Sequence, residues 1–147
     1  MKPPIKCLAD RYVHYTNRVL EEAKKHRPDV RAWFYAYNAA EDPPRRERPA
    51  DDAIAGFVPT TFLFPAIEDY FRGWQRAGLK NFFFRPNYLC NRSCFPIGRE
   101  KFIWRQHREM LAVGSLGDCF DSTPGVPSTD FDHYTAVRLC ADPDVAF

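Results

Sequence analysis

The chain has 147 residues, a length that suits one domain spanning 1–147, and 45% of them are hydrophobic, which excludes wholesale disorder. With 21 basic and 19 acidic residues the formal net charge is +2, so neither a nucleic acid nor an anionic membrane surface is expected as a partner. No apolar run approaches the roughly 20 residues of a membrane span, and Met1-Lys2-Pro3-Pro4 is not followed by the apolar core of a signal peptide. Five cysteines, an odd number, favour reduced thiols and a cytoplasmic setting. Aromatic residues make up 16%, rich enough that some rings are expected at sites or interfaces rather than in a core.

Residues 9–26 read as a helix. Tyr12, Tyr15, Val19, Leu20 and Ala23 fall at helical spacing, with Glu21, Glu22, Lys24 and Lys25 on the other side. Arg27-Pro28-Asp29 ends it. Residues 30–37 follow as a strand, with Val30, Ala32, Phe34 and Ala36 on one face and Trp33, Tyr35 and Tyr37 on the other. Residues 38–52 form a loop rich in proline and charge, long for a compact domain and so read as functional or mobile. Residues 53–58 are a second, short apolar strand. Residues 65–77 read as a helix carrying Ile67, Tyr70, Phe71 and Trp74 at helical spacing, with Gly78 as its stop.

The stretch from 81 to 90 organises the rest. Phe82, Phe83 and Phe84 follow a turn signal and read as a strand covered on both faces. The strand, near 81–85, then gives way to Arg85, Asn87 and Tyr88, with Pro86 stiffening the chain. An apolar strand that ends in a polar cluster is what an α/β protein shows where its strands open into a site. Residues 90–98 are an irregular loop. Residues 99–113 are a helix presenting Phe102, Ile103, Met110 and Leu111, ended by Gly114. Residues 116–120 are a fourth strand running into Asp121-Ser122-Thr123-Pro124-Gly125. Thr129 caps a last helix that runs to about Cys140. Strands alternating with helices predict an α/β fold, about four parallel strands with helices outside.

Several short motifs, taken in order, resemble a known family. They are Asn17-Arg18-Val19 through Pro28-Asp29-Val30, Ala36-Tyr37 followed by Pro43-Pro44, and Arg85-Pro86-Asn87-Tyr88-Leu89. Gly114 followed by Phe120-Asp121-Ser122 comes next, then Tyr134 through Arg138-Leu139 and Asp142-Pro143-Asp144-Val145. Together they are similar to the C-terminal half of the family called domain of unknown function 4838, large and mostly bacterial proteins with a glycosidase-like (β/α)8 barrel. The resemblance implies a half barrel and an activity on, or affinity for, carbohydrate. It implies no cofactor and no catalytic set that can be carried over. The chain departs from the family where Cys119-Phe120-Asp121-Ser122 stands for D-F-D-S, and where 123–129 lacks an aromatic loop tip. A full barrel needs eight strands and typically about 250 residues. A half barrel with open strand edges therefore implies a partner, either a missing N-terminal half or a second copy of the chain. The resemblance allows export of longer members of the family, and a cytoplasmic setting is the default expectation for this chain.

Glycoside hydrolysis generally needs two carboxylates about 5–9 Å apart. Asp121 is the first candidate, and its alternative is simple turn chemistry. Asp118 also flanks the strand end, although its odd spacing from Asp121 puts the two on opposite faces of a persisting strand, and the second carboxylate is otherwise expected at Glu41 or Asp42 after the first strand, or in the missing half. Arg85, Asn87 and Tyr88 suit hydroxyl or carboxylate binding, and Tyr35 and Tyr37, with Trp33, suit stacking on sugar rings or simply core packing. Cys90 and Cys94 have the spacing of a thiolate pair but no second pair, so no metal is expected. His107 reads as a surface or packing residue on its helix.

Overall fold

The computed structural model describes residues 7–58, 66–86, 100–119, 130–142 and 144. They fall into two compact units, Met1–Phe83 and Phe84–Phe147.

In the first unit, α1 (Leu8–Lys24) precedes β1 (Ala32–Tyr37), β2 (Ala53–Val58), α2 (Ala66–Arg76) and β3 (Asn81–Phe84). The strands form a three-stranded parallel sheet in the order β1-β2-β3. Ala32 pairs with Ala53 and Tyr37 with Val58 at the two ends of the β1–β2 ladder. Alternation then assigns the faces. Phe34, Ala36, Ala53, Ala55, Phe57 and Phe82 are buried on one side. There Phe57 meets Phe71 and Trp74 of α2 edge-on at 4.4 and 5.6 Å, which is the geometry aromatic quadrupoles prefer. Of the triple phenylalanine, Phe82 and Phe84 are fully buried and Phe83 only partly, so this strand is sealed on one face and half-covered on the other.

The β1–β2 crossover is the unusual piece. Parallel strands are normally joined through a helix; here a 3₁₀ turn at Asn38–Ala40 is followed by irregular chain. That chain is pinned at several points. The Asp10 carboxylate, almost fully buried on α1, accepts the backbone N–H groups of Arg45, Arg46 and Glu47 at 2.9, 2.9 and 3.0 Å. Asn17, two turns on, donates to the carbonyl of Arg48 and accepts the N–H of Ala50, both at 2.8 Å. Trp74 Nε1 donates to the carbonyl of Glu41 at 2.9 Å, and Lys24 pairs with Asp52 where β2 begins. The segment expected to be functional or mobile is a docked connection, because its backbone donors have side-chain acceptors waiting on α1.

These anchors also set the roll of α1. Its buried residues are Ala9, Asp10, Val13, Thr16 and Leu20, whereas Tyr12, Tyr15 and Val19 are exposed. The face expected to be buried is thus rotated, with only Leu20 of its large residues fully inside. Two polar anchors outrank three apolar side chains, since a buried backbone N–H without an acceptor costs about 1–3 kcal/mol.

In the second unit, α3 (Glu100–Ala112) packs on α4 (Asp130–Ala141). Phe120 lies outside the described residues, and among them the fourth strand expected at 116–120 is present as one parallel bridge between Phe84 and Asp118. Its bonds run from Phe84 N–H to the Gly117 carbonyl at 3.0 Å and from Cys119 N–H to the Phe84 carbonyl at 2.7 Å. Gly117 has φ +149°, a conformation L side chains rarely adopt, and it breaks the extended run. Among the described residues no helix is long and apolar enough to cross a membrane.

Burial alone would raise the Asp10 pKa, but the N–H groups of Arg46, Glu47 and Arg45 outweigh it and hold the carboxyl below its ordinary 3.8. A carboxylate with a lowered folded-state pKa stabilises fully above the ordinary value and loses that contribution as pH falls through the lowered one. Asp10→Ala should therefore cost about 3 kcal/mol in denaturant unfolding at neutral pH. The loss should shrink below about pH 3.8. A variant as stable as the parent would contradict the anchoring role.

Candidate functional site

A groove of about 480 Å³ runs between α1 and β1. The helix supplies Leu8, Tyr12, Tyr15 and Thr16, which recur at intervals of four, three and one and so share one side. The strand supplies Trp33, Phe34, Tyr35 and Tyr37, and the following turn Asn38 and Ala39. Among the described residues no charged side chain lines it. Trp33 is 58% exposed and Tyr15 is 70% exposed, so large rings stand in water here instead of filling a core.

The strand side is shaped by a glycine. Gly56 lies beside Tyr35 in the β1–β2 register, and a Cβ there would sit 2.4 Å from Phe83 Cζ and 2.8 Å from Tyr35 Cδ1. The bare backbone lets both rings settle onto β2. Trp33 then packs edge-on against Tyr35, with ring centroids at 4.8 Å, and against Phe83 at 6.2 Å. One end of the groove is closed by Asn38, which is exposed and holds φ +50°. Asparagine tolerates this left-handed conformation better than most residues, and it presents its amide just past the C-terminal end of β1.

Of the residues singled out from sequence, Tyr35 and Tyr37 are brought together in this groove. Tyr12, Tyr15 and Asn38 join them without having been singled out as binding groups. The two tyrosines had the spacing of a core stripe, and only the polar anchors Asp10 and Asn17 on the opposite side of the helix tell otherwise. Arg85 is half-buried after β3 in the second unit, and Pro86 beside it is buried. Asn87, Tyr88 and Asp121 lie outside the described residues, as do Cys90 and Cys94.

Asp118 has a different setting. Its side chain is buried and bonded to Nδ1 of His107 on α3, itself buried. It thus faces a helix. The other atoms of the pair, Nε2 of His107 and Oδ1 of Asp118, have no hydrogen-bond partner among the described residues. Burial, and then the Asp118 charge, push the Cys140 thiol pKa up, away from the thiolate a nucleophile needs. Cys7, Cys119 and Cys140 are free thiols. Among the described residues no group of three or more His, Cys, Asp or Glu side chains is arranged to hold a metal ion.

Comparison with protein-family models, with curated proteins and with solved structures gives no match to this chain.

Two substitutions test this geometry. Gly56→Ala should overpack the aromatic cluster and cost about 1–3 kcal/mol in thermal or denaturant unfolding; a neutral result would mean that the rings are not seated on β2. Asp118→Ala should cost about 3 kcal/mol by leaving His107 buried without its partner, and unfolding monitored by denaturant titration would show it.

Proposed function

We propose that the protein recognises carbohydrate, and that the groove between α1 and β1 is where it does so. The observation that carries this reading is the lining: exposed tyrosines and a tryptophan around an open groove that is uncharged among the described residues, with one side-chain amide at its end. Aromatic faces take up the apolar C–H faces of sugar rings, and hydroxyl and amide groups at the rim exchange hydrogen bonds with sugar hydroxyls. An uncharged lining favours neutral sugars over anionic ones. The short motifs that resemble a glycosidase-like family point in the same direction.

The same reading takes the α/β fold as half of a (β/α)8 barrel. Support comes from the first unit, whose parallel strands follow chain order without the reversal of a doubly wound sheet. Right-handed crossovers in such a sheet all fall on one face, and here that face carries α1, the crossover and α2. Barrel enzymes place their sites at the C-terminal ends of strands, the end of β1 at which Asn38 stands.

Binding is the better-supported form of the reading. Among the described residues the groove lining holds no carboxylate, and Asp118 is committed to His107. Hydrolysis would rest on Asp121, with Arg85, Asn87 and Tyr88 as binding groups.

Titration with neutral oligosaccharides, followed by tryptophan fluorescence, tests the proposal. Trp33 is the exposed reporter, whereas Trp74 is fully buried. Saturable changes are expected, with affinity lowered about tenfold or more by Trp33→Ala and unchanged by Asp118→Asn. Absence of any saturable response across a glycan panel would refute it. Release of reducing sugar that is lost in Asp121→Asn would establish the hydrolytic form instead.

A further inference from the structure

We propose that β1 and the side of α1 next to it form a contact between two copies of this chain, which covers the groove. Among the described strands β1 is an edge. Its N–H at Ala32 donates to the Asp52 carbonyl at 3.3 Å, so in the β1–β2 register the even-numbered residues turn their backbone groups toward β2. Trp33 and Tyr37 therefore turn their N–H groups away from it. Native edge strands are normally guarded by charge, proline or a bulge. The strand Ala-Trp-Phe-Tyr-Ala-Tyr carries no charge and no proline, and its ladder with β2 runs without a bulge.

The exposed side chains lie on this same side. Tyr12 is 43% exposed, Tyr15 70%, Val19 40%, Trp33 58% and Tyr37 40%. Taking about 200 Å² for a whole aromatic side chain, they offer on the order of 500 Å². Two copies meeting here would bury roughly 1,000 Å² in all, the threshold for a specific interface.

A second copy fits better than an unrelated strand because the edge is self-complementary. Around a two-fold axis near Tyr35, Trp33 of one copy lies opposite Tyr37 of the other, so the outward backbone groups meet in an antiparallel pair. The two α1 helices then approach across the joint through Tyr12, Tyr15 and Val19.

Such a contact occupies the groove, so self-association and carbohydrate binding exclude each other. That exclusion rests on the carbohydrate reading; the self-association does not.

Sedimentation velocity of the full chain over a dilution series, with and without a neutral oligosaccharide, tests both. The expected mass at high concentration is twice the 17.1 kDa of one chain. Trp33→Lys/Tyr37→Lys should return the single-chain mass with an unchanged far-ultraviolet circular dichroism spectrum. Tyr15→Lys, on the exposed side of α1, should do the same if the double variant misfolds. Leu116→Lys, an exposed apolar position in the second unit, should leave the dimer intact. A wild-type chain at single-chain mass throughout overturns the proposal, as does a dimer that persists in the edge variants. Sugar that binds and dissociates the dimer supports the exclusion, and sugar that binds without dissociating it overturns the covering of the groove. If no sugar binds, the carbohydrate reading fails while the masses still decide the self-association.

Discussion

One buried carboxylate holds the first unit together. Asp10 on α1 accepts three consecutive backbone N–H groups from the β1–β2 crossover. A parallel pair needs its connection to travel the length of the strands and return, and a helix normally satisfies the backbone on the way. Here irregular chain makes the journey, and its donors are satisfied by side chains of α1. Without those acceptors the crossover would have to keep its backbone donors in water.

The same anchors explain the groove. By facing Asp10 and Asn17 toward the crossover they turn Tyr12, Tyr15 and Val19 outward, next to the edge of β1. Gly56 contributes from the other direction, letting Tyr35 and Phe83 lie flat enough on β2 for Trp33 to stand partly in water against them. The aromatic groove follows from where backbone hydrogen bonds are satisfied, and hydrophobic matching alone would have buried these rings. The exposed rings beside the edge of β1 are the surface on which both proposals rest.

Much of this fold was legible in the chain. The alternation of Phe34 and Ala36 against Trp33, Tyr35 and Tyr37 gave the faces of β1, and the spacing of Tyr70, Phe71 and Trp74 gave the side of α2 that meets Phe57. The phase of α1 was not legible, because it is decided by contacts between Asp10 and residues thirty-five or more positions away. Nor was the shortening of the fourth strand to a single bridge among the described residues, where Gly117 interrupts the extended run. His107 looked like one more packing residue on a helix; that it takes up the Asp118 carboxylate depends on bringing α3 beside the Phe84 bridge. As for the site, Tyr35 and Tyr37 could be picked out as ring-stacking candidates from strand alternation, but the helix wall of the groove could not.

The most direct test of carbohydrate recognition is a titration of the isotope-labelled chain with a neutral oligosaccharide, following backbone amide shifts by nuclear magnetic resonance. The account predicts that the amides that move are those of residues 8–16 and 33–39, on the two walls of the groove. Shifts confined to 100–119, or no shifts at saturating sugar, would contradict it.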